Sequence, residues 1–251
     1  MFGRLLPILY YHHVGERWEP LGHRRLWTSA ERFREQMGYL AARGYRCLSL
    51  RDGGSLLEGK KPTPARVAVL TFDDGYENFY EFAWPVLRQH GFGATVFVVT
   101  DHVGGLSQWD PGSATPLMNW DQLRELTLQG IEIGSHTVHH VRLTQLSSAD
   151  AKSELETSRR VLEQNLGVSA SALAYPFGDW NDSVEELARQ TGYRLACSII
   201  RGNRHAAAEL HRLKRVPVDD FTDLARLRRK LSSSYDLTCR LRRFGRRLRG
   251  H

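Results

Sequence analysis

Eight short apolar runs recur along this 251-residue chain, each four to seven residues long, and the stretches between them carry helical spacing. The runs lie at 7–11, 45–50, 66–72, 94–99, 131–134, 172–175, 195–200 and 214–218. They are continuous rather than alternating, the pattern of strands covered on both faces in a parallel sheet. Thr28 and Glu31 form a capping box ahead of Phe33, Met37 and Leu40, and Gly44 stops that helix. Further helices are expected over 78–89, 120–129, 149–165 and 182–190, each ending at or near a glycine. Strand, helix, glycine and strand repeat six or seven times. This rhythm means α/β, and the count fits a distorted (β/α) barrel of about seven parallel strands better than a short open sheet.

Size and composition agree. The hydrophobic fraction is 41% and the charged fraction 25%, ordinary values for a soluble globular chain. Cys47, Cys197 and Cys239 are far apart and form no C-x-x-C pair, so they read as reduced packing residues. The net charge of +7 is unevenly spread: residues 224–251 carry ten Arg or Lys against the single acid Asp236, which leaves −2 for residues 1–223. The near-neutral body argues against a nucleic-acid groove, and no nucleic-acid partner is expected. The chain therefore divides into a catalytic-sized domain, 1–220, and a basic amphipathic tail, 221–251.

Functional residues of such folds gather where strands end, and four strand ends here are unusual. The run 66–72 leads into Asp73-Asp74-Gly75; two adjacent carboxylates leaving a buried strand are costly without a compensating cation. The run 131–134 leads into Ser135-His136-Thr137-Val138-His139-His140, and one helical turn would set His136 and His140 on one face. Two histidines and one carboxylate make an open site for a catalytic divalent metal, and a second carboxylate alongside can serve as general base. The third strand end, Tyr175-Pro176-Phe177-Gly178-Asp179-Trp180, offers a rigid aromatic wall for sugar rings. The fourth, Tyr11-His12-His13-Val14, offers a histidine as general acid.

With these motifs in view, the chain resembles the polysaccharide deacetylases, carbohydrate esterase family four, over about residues 5–218. Thr71-Phe72-Asp73-Asp74-Gly75 matches the Asp-pair motif, His136-Thr137-Val138-His139-His140 the H-[ST]-x-x-H motif, and Ala174-Tyr175-Pro176-Phe177-Gly178 the groove motif. The resemblance implies a barrel enzyme that hydrolyses acetyl groups from sugars. Asp73 would be the base and Asp74, His136 and His140 the ligands of a divalent metal, zinc with cobalt or nickel as alternatives. The amide of Phe177 would serve the oxyanion, and Tyr175, Pro176, Phe177 and Trp180 would contact the sugar. The usual late Leu-x-His motif is missing after residue 178. Instead, the N-terminal Tyr11-His12-His13-Val14 resembles the poly-N-acetylglucosamine deacetylase subgroup, which assigns the acid to His12, with His13 as the alternative. The arginine that commonly precedes the groove motif is replaced by Ser171-Ala172-Leu173, and Arg215 stands as its substitute.

The expected substrate is an N-acetylated oligo- or polysaccharide or a lipid-linked sugar. The alternatives are a deformylase, an O-acetyl esterase, or a non-catalytic carbohydrate-binding protein. In the tail, Leu237, Leu241, Phe244 and Leu248 form an apolar stripe among arginines, the pattern of a helix lying on an anionic membrane surface, with a plain solvated tail, an acidic polysaccharide contact or RNA as the alternatives. The short apolar start, interrupted by Tyr10, His12 and His13, reads as a strand and not as an export signal, so the expected location is the cytoplasm or the inner membrane face.

Overall fold

The structure, a computed structural model, describes residues 3–16, 25–109, 114–239 and 241. Seven parallel strands close into a ring: β1 (Ile8–Tyr11), β2 (Val67–Phe72), β3 (Thr95–Val98), β4 (Glu132–Ser135), β5 (Ala172–Ala174), β6 (Leu195–Arg201) and β7 (Leu213–Pro217). Each pairs with its neighbours in chain order, and β7 returns to β1 (Val216 opposite Leu9) while β1 pairs with β2 (Ile8 opposite Val69). The eighth run forms a short strand, Arg46–Leu48, outside the ring. It pairs with the first half of β2, and β3 takes over the same edge from Thr71 onward.

Side chains alternate along each strand, and the alternation sorts them into two cores. Leu9, Tyr11, Ala68, Leu70, Phe72, Val96, Val98 and Ile133 face outward, where they meet residues of the surrounding helices. Ile8, Val67, Val69, Phe97, Ala172, Ala174, Leu195, Cys197 and Leu213 fill the barrel. Gly134 makes room for this filling, because a Cβ there would stand 2.7 Å from the Phe97 ring. Continuing the inward phase toward the carboxyl ends leads to Tyr10 and His12 from β1, Thr71 and Asp73 from β2, His136 from β4 and Arg215 from β7. The residues that fill the barrel and those that crown it are thus one alternating series.

The helices are α1 (Ala30–Ala42), α2 (Leu50–Leu57), α3 (Trp84–His90), α4 (Trp120–Leu128), α5 (Ser148–Leu166), α6 (Asp182–Gln190) and α7 (Leu224–Leu231). Three differ from the sequence reading. The cap of α1 is Ser29, whose hydroxyl accepts from Arg32 N, and not Thr28, which is buried in the short strand Trp27–Ser29. The segment expected as one helix over 78–89 opens with a π-turn, Phe79–Ala83, before α3. Pro85 explains it: without an N–H it cannot bond Glu81 O, and Trp84 N–H reaches back to Phe79 O instead. The helix α2 was not expected at all. It lies across the amino end of the barrel, with Leu50, Leu56 and Leu57 buried among Leu6, Ile8, Val67 and Leu195. Gly53 and Gly54 permit this approach, since Cβ atoms there would stand 2.4 Å from Val69 Cγ2 and 2.5 Å from Leu195 Cδ1. The buried Glu132 meets the start of α2, accepting from Arg51 N at 2.9 Å and from Thr95 Oγ1 at 2.7 Å.

Helix α7 falls in the segment whose charge marks it as tail, yet it buries Leu227 and Leu231 in the outer core. Phe244 and Leu248 of the stripe lie outside the described residues. Cys47, Cys197 and Cys239 are free and buried.

Candidate active site

Asp73 and Asp74 leave β2 in different directions. Asp73 keeps the inward phase, and its backbone N–H bonds Tyr11 O at 3.0 Å. Its carboxylate is gripped by the fully buried Arg215, Nη1 to Oδ1 at 2.7 Å and Nη2 to Oδ2 at 2.8 Å. Arg215 is held in turn by Nε donating to Ser198 O at 3.0 Å, and its guanidinium lies 4.5 Å from the Tyr10 ring centroid. Burial pushes the Asp73 carboxyl up, but Arg215, followed by His12, outweighs it and holds the group below the usual carboxylate value. His12 Nε2 stands 3.8 Å from Asp73 Oδ2. His13, in the opposite phase, turns away and stacks on Tyr76 with centroids 3.7 Å apart, its Nδ1 3.1 Å from Asn78 Nδ2. Of the two candidate acids, His12 alone reaches Asp73.

Asp74 takes a left-handed backbone, φ 74°, and points to the histidines. Its Oδ1 lies 3.2 Å from His136 Nε2 and 3.3 Å from His140 Nε2. The two imidazoles meet without the helical turn expected from their spacing. After β4 the chain is irregular, and left-handed conformations at Thr137 (φ 68°) and His140 (φ 56°) fold it back. Ser135 Oγ accepts from Thr137 N at 3.1 Å, Thr137 Oγ1 from His140 N at 3.1 Å, and Glu154 of α5 from Val138 N at 2.9 Å. Glu154 also takes the ring of His139, which points away from the cluster. Asp74, Thr137, His140 and Phe177 are the only non-glycine residues with positive φ among those described, and all four belong to this site. Such conformations cost of order 1–3 kcal/mol each and persist where the surroundings over-determine them.

The third strand end differs from its expected role as a wall of four residues. Tyr175, in the outward phase of β5, is fully buried beside α5 and α6, and its hydroxyl donates to His211 O at 2.8 Å. Pro176 is buried as well. Phe177, 41% exposed, stands at the site with its ring 4.6 Å from His140 and under the Arg142 guanidinium at 4.2 Å. Trp180 is half-buried against the satellite core of Leu143 and Tyr175. Sequence reasoning passed over Trp109, in the loop after β3, whose ring stacks on His140 at 4.4 Å. An isolated tryptophan among Gly, Ser and Pro carries no periodic signal.

The donor set fits a divalent ion. His136 Nδ1 lies 2.7 Å from Ala174 O and donates to it, which leaves Nε2 as a lone pair. Among the described residues, Asp74 Oδ1 is buried without a hydrogen bond, and the three candidate ligand atoms lie within 4.8 Å of one another. Tetrahedral ligands about 2.0–2.1 Å from zinc stand roughly 3.3 Å apart, the separation of Asp74 Oδ1 from each imidazole. Burial pushes the Asp74 carboxyl up, and the two imidazoles overcome this to hold it well below the usual range.

A closed barrel with three metal-capable donors beside a second, arginine-held carboxylate has the make-up of a metal-assisted hydrolase. The family model described as polysaccharide deacetylase matches residues 60–196, more than half of the sequence, and the chain belongs to that family. It is 27% identical over 213 residues to YxkH of Bacillus subtilis (strain 168), covering 85% of this chain and 71% of that protein. It is 26% identical over 181 residues to a poly-β-1,6-N-acetyl-D-glucosamine N-deacetylase of Staphylococcus aureus (strain MSSA476), covering 68% of this chain and 61% of that one. The solved structure of the Streptococcus pyogenes deacetylase PplD in complex with acetate superposes with a TM-score of 0.81 at 27% identity, covering 92% of this chain and 99% of that one. The structure of IcaB from Ammonifex degensii has the same fold, with a TM-score of 0.79 at 22% identity and 91% of this chain covered, 97% of that one.

Proposed function

We propose that this chain removes N-acetyl groups from an amino-sugar polysaccharide, a poly-N-acetylglucosamine or a lipid-linked glycan of the same chemistry, releasing acetate. The observation that carries the reading is the pairing of Arg215 with Asp73 beside the cluster of Asp74, His136 and His140. A divalent ion held by those three residues, zinc with cobalt or nickel as alternatives, supplies Lewis acidity and makes water a nucleophile near neutral pH. Asp73, kept ionised by Arg215, accepts the proton of the water that attacks the acyl carbon. The Phe177 amide donates to the developing oxyanion. His12 protonates the nitrogen as the C–N bond breaks, leaving acetate and a free amino sugar. The Phe177 ring, exposed beside His140, forms the wall against which a sugar packs. The S. aureus relative's stated substrate supports the glycan class. A groove that only bound carbohydrate would have no use for two buried, ionised aspartates.

The test is acetate release from N-acetylglucosamine oligomers and lipid-linked sugars with added Zn2+, Co2+ or Ni2+. Each general acid–base contribution is worth about 10²–10⁴-fold. Asp73→Asn is therefore expected to abolish turnover while retaining the ion, and His136→Ala to lose both. Near-normal turnover in Asp73→Asn would remove the base assignment, and full activity in the presence of a strong chelator would remove the metal. No helix among the described residues is long and apolar enough to cross a membrane. Contact of the tail with an anionic lipid surface is supported by Leu237 and Leu241, 60% and 63% exposed at i, i+4. Co-sedimentation with anionic vesicles that is unchanged when the arginines beyond residue 239 are replaced by serine would refute it.

A further inference from the structure

We propose that Trp109 is a positioning residue for the metal centre, holding the His140 imidazole in the plane from which Nε2 faces Asp74. The inference rests on the reading of Asp74, His136 and His140 as metal ligands. His140 keeps a left-handed backbone with φ 56°. Its ring is bounded by three others. Trp109 lies nearly parallel, with centroids 4.4 Å apart and planes at 28°. Phe177 meets it edge-on at 4.6 Å, and His136 does so at 4.9 Å. His136 is oriented by the Ala174 carbonyl, the ordinary kind of support for a metal-ligating imidazole. At His140 a broad flat face fixes the ring plane as well.

Trp109 is itself braced. His102 packs edge-on against it at 5.4 Å, and the strands of its loop are tied by Ser107 N to Thr115 O at 2.9 Å. The indole N–H is shut from solvent and has no acceptor among the described residues, although a buried tryptophan N–H usually finds one. The contact is ring on ring, so the shape of the side chain matters and not its bulk alone.

Full-length wild type, Trp109→Ala, Trp109→Leu and Trp109→Phe are loaded with Co2+. The dissociation constant is read by chelator competition, and the ligand geometry by the visible absorption of the bound ion. Loss of an outer support of a metal ligand weakens binding about 10–100-fold, which is the change expected for Trp109→Ala and Trp109→Leu, with an altered spectrum, whereas Trp109→Phe stays within about threefold. Wild-type affinity and spectrum in the alanine and leucine variants overturn the proposal. A raised KM for the glycan with metal binding intact also overturns it and assigns Trp109 to the sugar. A wild-type chain that takes up no Co2+ overturns the metal reading itself, so the two failures are distinct. If Trp109→Ala does not fold, the leucine and phenylalanine variants carry the comparison.

Discussion

Replacing Arg215 with methionine keeps an unbranched apolar stem and strips away the fork that grips Asp73. In the wild type that fork makes contacts of 2.7 and 2.8 Å, with Arg215 fully buried and Asp73 3% exposed. The variant leaves a carboxylate inside the barrel mouth, with the His12 imidazole 3.8 Å away. Removing one partner of a buried ion pair costs about 3–5 kcal/mol, a large share of the roughly 5–15 kcal/mol that holds a domain together. Because Arg215 holds the Asp73 carboxyl below its usual value, the pair's contribution is present at neutral pH and fades as pH falls through that depressed value. The measurement therefore belongs at pH 7, by urea unfolding with chelator present. With an m-value near 2–3 kcal/mol/M, the midpoint should drop by about 1–2 M. The double variant Arg215→Met with Asp73→Asn carries no stranded charge and should recover roughly half the loss, since residues in contact are not additive. A single variant within about 1 kcal/mol of wild type, or a double variant no more stable than the single, would show that the arginine does not hold an ionised Asp73.

Gly54→Ala should destabilise although alanine favours helix. The new Cβ would stand 2.5 Å from Leu195 Cδ1, and overpacking of about 1–3 kcal/mol exceeds a propensity gain of about 1 kcal/mol; a thermal melt that rises would refute this. His205, 1% exposed with Nε2 3.0 Å from Leu6 O, is pushed by burial down to about 4. The unfolded chain then binds the extra proton between the ordinary value near 6.5 and that lower one, so stability falls with pH across this window by up to about 3 kcal/mol. Urea midpoints at several pH values should decline less steeply in His205→Gln than in wild type, and parallel slopes would exclude the role.

The fold was legible because its strands are continuous apolar runs, and seven of the eight became the ring. What the runs conceal is their two faces. Val67, Val69, Thr71 and Asp73 form an inward series that apolar content alone does not separate from Ala68, Leu70 and Phe72. Helix α2 was hidden by Gly53 and Gly54, poor helix formers whose small size is required by Val69 and Leu195. At the site, residue type and strand-end position picked out Asp73, Asp74, His136, His140 and the His12-His13 pair, whereas the choice of His12 as acid and the role of Arg215 came from the family resemblance. The helical reason given for the His136–His140 pairing was wrong, since left-handed residues do that work. Tyr175 looked like a groove residue because it adjoins Phe177, but strand alternation sends adjacent side chains to opposite faces. Trp109 and Glu154 act on the loop from distant parts of the chain, which no local pattern reveals.

The helix laid beneath the barrel has a consequence for traffic. With α2 closing one end and the barrel filled by Phe97, Ile8 and Leu213, whatever reaches the aspartates must enter and leave by the same opening. On the proposed function, a long glycan would lie across that rim, and acetate would leave by the way the substrate came.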